Sequence, residues 1–168
     1  IVISGRVTCD GIGLADVKME GVPADTYTDE NGYYSVIVPY GWSGTVKPSK
    51  EYCTFTPVSR TYTNVMSPKP NENYTAIQKT FTLQVINEGV LGYPLKGNYT
   101  YKGGTVVQYS YYLQITKEPP LHYRYVVQVY LDDVLVRHGI SVTDSVTMDR
   151  NHKLYVKSEL VYIFGPYD

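Results

Sequence analysis

The sequence predicts an all-β protein built as two tandem antiparallel β-sandwiches. Three observations lead there. Apolar and polar residues alternate in short runs. Gly, Pro, Asn and Asp interrupt these runs at intervals of roughly 8–12 residues, the rhythm of sandwich strands and turns. No stretch carries the period of a helix. The aromatic content agrees: 19 Tyr stand beside three Phe and one Trp. Tyr joins an apolar ring to a polar tip, which suits sheets with one face in a core and the other in water. At 168 residues the chain suffices for two small sandwiches. The first is placed at residues 1–77 and the second at 78–168, with a short linker near Ile77 to Lys79.

Residues 3–9 (ISGRVTC) alternate and stop at Asp10-Gly11, a strand entering a turn. Val17, Met19 and Gly21 mark a second strand. Asp29-Glu30-Asn31-Gly32 is a tight turn, because Asn-Gly accepts positive φ; a strand over residues 33–38 follows. Thr45-Val46-Lys47 is short and ends at Pro48. Phe55 and Tyr62 mark two more short strands about Pro57, and Tyr74-Thr75-Ala76 closes the first unit. In the second unit Phe81, Leu83 and Val85 alternate, and Asn87 to Gly97 reads as a loop. Strands are expected at 98–101, 105–113, 122–131, 134–136, 142–148 and 152–157, with Asp132-Asp133 as a turn.

The formal charge is −1, and neither unit is basic. Residues 1–77 carry six Lys or Arg against eight Asp or Glu, and the remainder nine against eight. A nucleic-acid partner is therefore not expected. No apolar run approaches the ~20 residues of a membrane helix, so no membrane span is expected. The first residue is Ile1, which reads as a processed product or an excised fragment. Cys9 and Cys53 form an even pair, and a disulfide between them would close a loop worth roughly 3–4 kcal/mol. Two separate buried thiols are the competing reading.

Residues 3–76 resemble the carboxypeptidase-regulatory-like (transthyretin-like) β-sandwich of bacterial and archaeal surface proteins. The resemblance rests on ISGRVT, GLADVKMEG, TDENGYYSVIVPYGWSGTVKPS, YCTFTPVSRTYTNV and NYTA. Residues 80–157 are similar, more loosely, to secreted bacterial repeat domains related to the internalin B-repeat, through GNYTYKGGTVVQYSY, VYLDDVLV and SVTMDRNHKLYVK. Both resemblances imply an Ig-like extracellular module with a spacer or adhesive role and no catalysis. One relative of the first family carries a Lys–Asn isopeptide bond with its Lys on the first strand. Arg6 stands there in this chain, which leaves Lys18 with Asn73 as the pairing to inspect.

No residue set reads as an active site, and neither enzymatic activity nor a cofactor is expected. Gly41-Trp42-Ser43-Gly44 lacks the nucleophile-elbow order and has no helix behind it. Asp25, Asp29, Glu30 and Asn31 hold oxygens for a cation, but not in the spacing of a calcium loop, and they read as a turn. His122, His138 and His152 stand singly, as solvated surface residues rather than zinc ligands. Trp42, Tyr40 and Tyr33, with Tyr34, are candidates for stacking on the sugars of an extracellular polysaccharide; the competing reading has Trp42 capping the core. Asn73 and Asn98 fit the N-glycosylation pattern on surface turns.

The boldest expectation concerns the ends. Leu160, Val161, Tyr162, Ile163 and Phe164 form an apolar run, as do Ile1, Val2 and Ile3. A strand apolar on both sides needs cover on both sides. Addition of these ends to neighbouring copies would build a homopolymer, a self-assembling surface filament. The alternative is a carbohydrate-binding or spacer module of a larger secreted protein.

Overall fold

The computed structural model describes residues 1–114 and 117–163. The chain is all-β and divides into two compact units, Ile1–Lys79 and Thr80–Asp168.

The first unit comprises β1 (Val2–Cys9), β2 (Ile12–Gly13), β3 (Lys18–Glu20), β4 (Tyr33–Ile37), β5 (Trp42–Ser49), β6 (Cys53–Thr56), β7 (Arg60–Val65) and β8 (Tyr74–Gln78). One sheet runs β2-β1-β8-β6 with β4 also on β1, and it faces a second sheet, β3-β5-β7. Alternation places Ile3, Val7, Val17, Met19, Val36, Val46 and Tyr74 between them, each no more than 2% exposed. The Asn31-Gly32 turn forms as expected, with Gly32 at φ 82°. The Asp29 carboxylate accepts the N–H groups of Asn31 and Tyr33, both at 2.9 Å. That carboxylate serves the turn.

The second unit comprises β9 (Thr80–Asn87), β10 (Leu91–Tyr93), β11 (Gly97–Lys102), β12 (Val106–Tyr112), β13 (Tyr123–Leu131), β14 (Val134–Gly139), β15 (Ser141–Thr147) and β16 (His152–Tyr162). A five-stranded sheet, β11-β9-β16-β13-β14, faces a three-stranded one, β10-β12-β15. Leu83, Val127, Val129, Met148, Leu154 and Val156 fill the core and are fully buried. Asp132 and Asp133 take φ of 51° and 68°, the two positive angles of a two-residue I′ hairpin.

Three details refine the reading from sequence. Gly92 lies within a short strand, β10, inside the stretch expected to be loop. The strand expected to end at Ala76 runs to Gln78, and β9 starts at Thr80. Lys79 alone therefore separates the units' strands, where a linker from Ile77 had been expected. The larger sheet of each unit also contains one parallel pair, between its first and last strands: β1 with β8, and β9 with β16. Parallel first and last strands make the chain enter each unit at one end and leave at the other.

The tyrosines divide more deeply than alternation suggests. Tyr34, Tyr74, Tyr109 and Tyr111 are at most 4% exposed. Burying a phenol requires a partner for its hydroxyl. Tyr34 donates to the Glu72 carbonyl at 2.5 Å, Tyr74 to the Val46 carbonyl at 3.3 Å, and Tyr111 to the Pro94 carbonyl at 2.6 Å.

Candidate functional site

The C-terminal half of β16 is an exposed piece of strand with an apolar character. β16 has 11 residues. Its partner β13 accompanies it from Leu131 opposite Leu154 to Tyr123 opposite Tyr162. On the other edge β9 accompanies it only from His152 to Val156. The Val156 carbonyl accepts the Glu88 N–H at 2.9 Å, so Val156 points its backbone groups toward β9. Strand geometry repeats every two residues; Ser158 and Leu160 therefore point theirs the same way, past the end of β9. Among the described residues no strand pairs that edge. The side chains above it are Leu160 at 38% exposed, with Tyr123, Tyr125 and Tyr162 on the same face of the ribbon. Tyr123 and Tyr162 meet edge to face, with centroids 5.2 Å apart. A cleft of about 340 Å³, lined by Val90, Leu113, Tyr125 and Ser158 among others, opens beside this edge. The expected assembly residues Leu160, Val161, Tyr162 and Ile163 thus lie at one open end of the second sandwich; Phe164 lies outside the described residues.

The other half of that expectation is corrected. Ile3 is fully buried in its own core, and Ile1 packs against it. β1 pairs with β4 from Val2 to Arg6. Its other edge exchanges bonds with Lys69, Ser4 N–H to Lys69 carbonyl and Lys69 N–H to Val2 carbonyl, both 2.9 Å. The Ile1 ammonium donates to the Val38 carbonyl at 2.8 Å. Ile1 and Ile3 are covered by their own sandwich; Val2 points outward at 39% exposed, but the strand is bonded on both edges and offers none to a neighbour.

The disulfide is also corrected. Cys9 and Cys53 are separate thiols. Both strands that carry them pair with β8, on opposite edges: Cys9 lies beside Ala76 and Cys53 beside Gln78. An intervening strand separates the two by at least roughly 9.5 Å between Cα atoms, beyond the reach of a disulfide. Spacing along the chain gave no warning of the strand between them.

Trp42 lies on the core face of β5. Its indole folds down over Gly44, where a Cβ would meet the ring at 2.2 Å, and it contacts Tyr62 with centroids 6.1 Å apart. Tyr33 sits on the outer face of β4 in the opposite sheet, under the Arg6 guanidinium at 5.1 Å, and Tyr40 projects from the turn before β5 at 73% exposed. The structure does not bring Trp42, Tyr40 and Tyr33 into one row. Asn73 gives its side-chain oxygen to the Arg6 N–H at 2.8 Å. Asn98 is exposed on the edge strand β11 rather than in a turn. Lys18 pairs with Asp25 at 3.8 Å, so neither Lys18 nor Asn73 is oriented toward a mutual cross-link.

His152 corrects the reading of surface histidines. Its side chain is 4% exposed, with Nδ1 2.8 Å from Asp132 and Nε2 2.8 Å from Asp149. The ring thus ties the turn between β13 and β14 to the turn before β16. Asp132 also accepts the Lys153 N–H at 2.9 Å. Burial would raise the Asp132 carboxyl, but the hydrogen bonds from Lys153 and His152 outweigh it and hold it below the ordinary range. The hydrogen bond from His152 likewise lowers Asp149. The signal was present: His152, Leu154 and Val156 share one parity, which put the ring on the core face.

No protein-family model and no curated protein matches the chain. Among solved structures it is similar to BcpA, the major pilin subunit of Bacillus cereus, at 14% identity and a TM-score of 0.38, covering 98% of this chain and 59% of that one. It is also similar to a DUF3823 family protein from Bacteroides ovatus, at 11% identity and a TM-score of 0.33, covering 96% of this chain and 80% of that one. The chain thus spans about three fifths of the pilin's length.

Proposed function

We propose that this chain is a non-catalytic structural or adhesive protein of the cell exterior whose second unit joins to another copy by strand addition at β16. The observation that carries the proposal is the edge of Ser158 and Leu160, which runs beyond β9 beside a cleft lined by both apolar and polar groups, Val90 and Leu113 with Gln114 and Lys117. Exposed edge backbone is a template for another strand, and the cleft takes the alternate side chains of an added one. Pairing of like edges is antiparallel and two-fold, which closes as a dimer. Growth into a filament therefore takes a second contact elsewhere, now that β1 is spoken for within its own sheet. The resemblance of residues 3–76 to surface-protein sandwiches supports the extracellular setting.

A second reading, a spacer module, draws on a different observation: each unit passes the chain from one end to the other. Sedimentation velocity separates the two. Ser158→Pro removes an N–H from the open edge while leaving the β13–β16 ladder intact. The wild type is expected to associate with rising concentration and Ser158→Pro to stay monomeric with an unchanged unfolding midpoint. A wild type monomeric throughout favours the spacer, and association unaltered by Ser158→Pro removes the β16 contact.

A further inference from the structure

The outward face of β10-β12-β15 differs in chemistry from the other faces of the second unit. Of all residues in these three strands only Asp144 is charged, and it turns inward to pair with Arg137 at 2.5 Å. The outward residues carry hydroxyl, amide, aromatic and aliphatic groups and no formal charge. By contrast, the outward face of β16 carries Lys153, Lys157 and Glu159. In a chain that is 18% charged, a three-stranded face without charge is unusual, since ordinary solvated strands carry Lys and Glu.

Two tyrosines stand on this face, Tyr93 at 58% and Tyr112 at 49% exposed. Register puts Tyr93 opposite Ser110 and Leu91 opposite Tyr112, so the two rings are diagonal neighbours roughly 7–8 Å apart at the backbone. Beside them Ser110 and Thr143 share a hydrogen bond at 3.1 Å, and Gln108 faces Ser145 across the same pair of strands. Ser, Thr and Gln each donate and accept.

We infer that this face binds a neutral polysaccharide, with Tyr93 and Tyr112 stacking on sugar rings. A pyranose offers an apolar C–H face that fits an aromatic ring and a rim of hydroxyls that both donate and accept. The row of Gln108, Ser110, Thr143 and Ser145 matches that rim, and the run of outward residues along β12 and β15 matches an extended chain. The outward residues of the three strands offer a polyanion no cation and a protein partner no charge to pair, Lys117 standing off them in the cleft beside Leu91 and Tyr112. The face meets the β16 edge at the cleft that Leu91 and Tyr112 line together with Ser158, and it is distinct from the expected Trp42, Tyr40 and Tyr33 set, which the first unit disperses.

The test is retention of the full chain on microcrystalline cellulose and on chitin, and mobility shift in gels containing soluble neutral β-glucan or mannan, with alginate as the anionic arm. The wild type is expected to bind at least one neutral polymer. Tyr93→Ala with Tyr112→Ala should weaken that binding at least tenfold at an unchanged unfolding midpoint. Thr143→Lys, also outward, should do the same by placing charge on the face, and Tyr33→Ala should have no effect. Failure to bind any neutral polymer, tighter binding to alginate, or binding undiminished in both face variants overturns the inference.

Discussion

At the scale of single residues, burial decides which polar groups matter. A single histidine such as His152 reads as a surface residue, yet its parity with Leu154 and Val156 places it inward and its two carboxylates lie on separate turns. Their lowered titration has a defined sign. Folded-state values below the ordinary carboxylate range of about 4 give stability that is present above that range and lost as pH falls through the folded values. Thermal unfolding of the second unit is therefore expected to weaken below about pH 4, and Asp132→Asn to flatten that dependence; a midpoint equally sensitive to acid in the variant contradicts the assignment. The tyrosines give the alkaline counterpart. Burial pushes the Tyr34 and Tyr62 hydroxyls well above the usual phenol range, the Glu72 carboxylate adding to the effect at Tyr62. Tyr74 is raised to about 12, chiefly by burial against an opposing Arg60. Absorbance titration should show a fraction of the tyrosines ionising only as the protein unfolds. Trp42 reports on its own strand: Gly44→Val should displace the indole, cost about 1–3 kcal/mol and shift the urea midpoint seen by the only tryptophan.

At the scale of elements, what was legible was local. Alternation located the main strands, and Asn31-Gly32 and Asp132-Asp133 announced their turns through residues that accept positive φ. Strand partners were not legible, because they depend on residues distant in sequence. Cys9 and Cys53 show the consequence: both sit on neighbours of β8, and only the strand order reveals that β8 lies between them. Without reductant, the denatured chain should expose two titratable thiols; none would mean that the disulfide forms after all. Ile1 to Ile3 and Leu160 to Ile163 show it again. The two runs look alike in sequence, yet β1 has strand bonds on both edges and the end of β16 has them on one. Pro at 159 makes the contrast experimental. Glu159 points its backbone groups toward β13, so Glu159→Pro should destabilise the second unit where Ser158→Pro does not; equal effects would mean the edge is not open.

At the scale of the whole molecule, the fold class followed from composition and rhythm, whereas the functional surfaces followed from what the sheets leave uncovered. A strand that outlasts its neighbour and a sheet face without charge are both collective properties, each spread over residues that look ordinary one by one. The work proposed for the second unit, self-association at one end and glycan contact on one face, rests on these two properties, and the two surfaces meet at the cleft that Ser158 and Tyr112 both line. The central claim concerns the edge of β16, and amide hydrogen exchange at Ser158 and Leu160 tests it most directly. If copies add to this edge, those two amides should exchange freely in dilute protein and become protected as concentration rises, while Ser158→Pro abolishes the protection left at Leu160. Exchange that stays fast at every concentration, or protection already complete in the monomer, would contradict it.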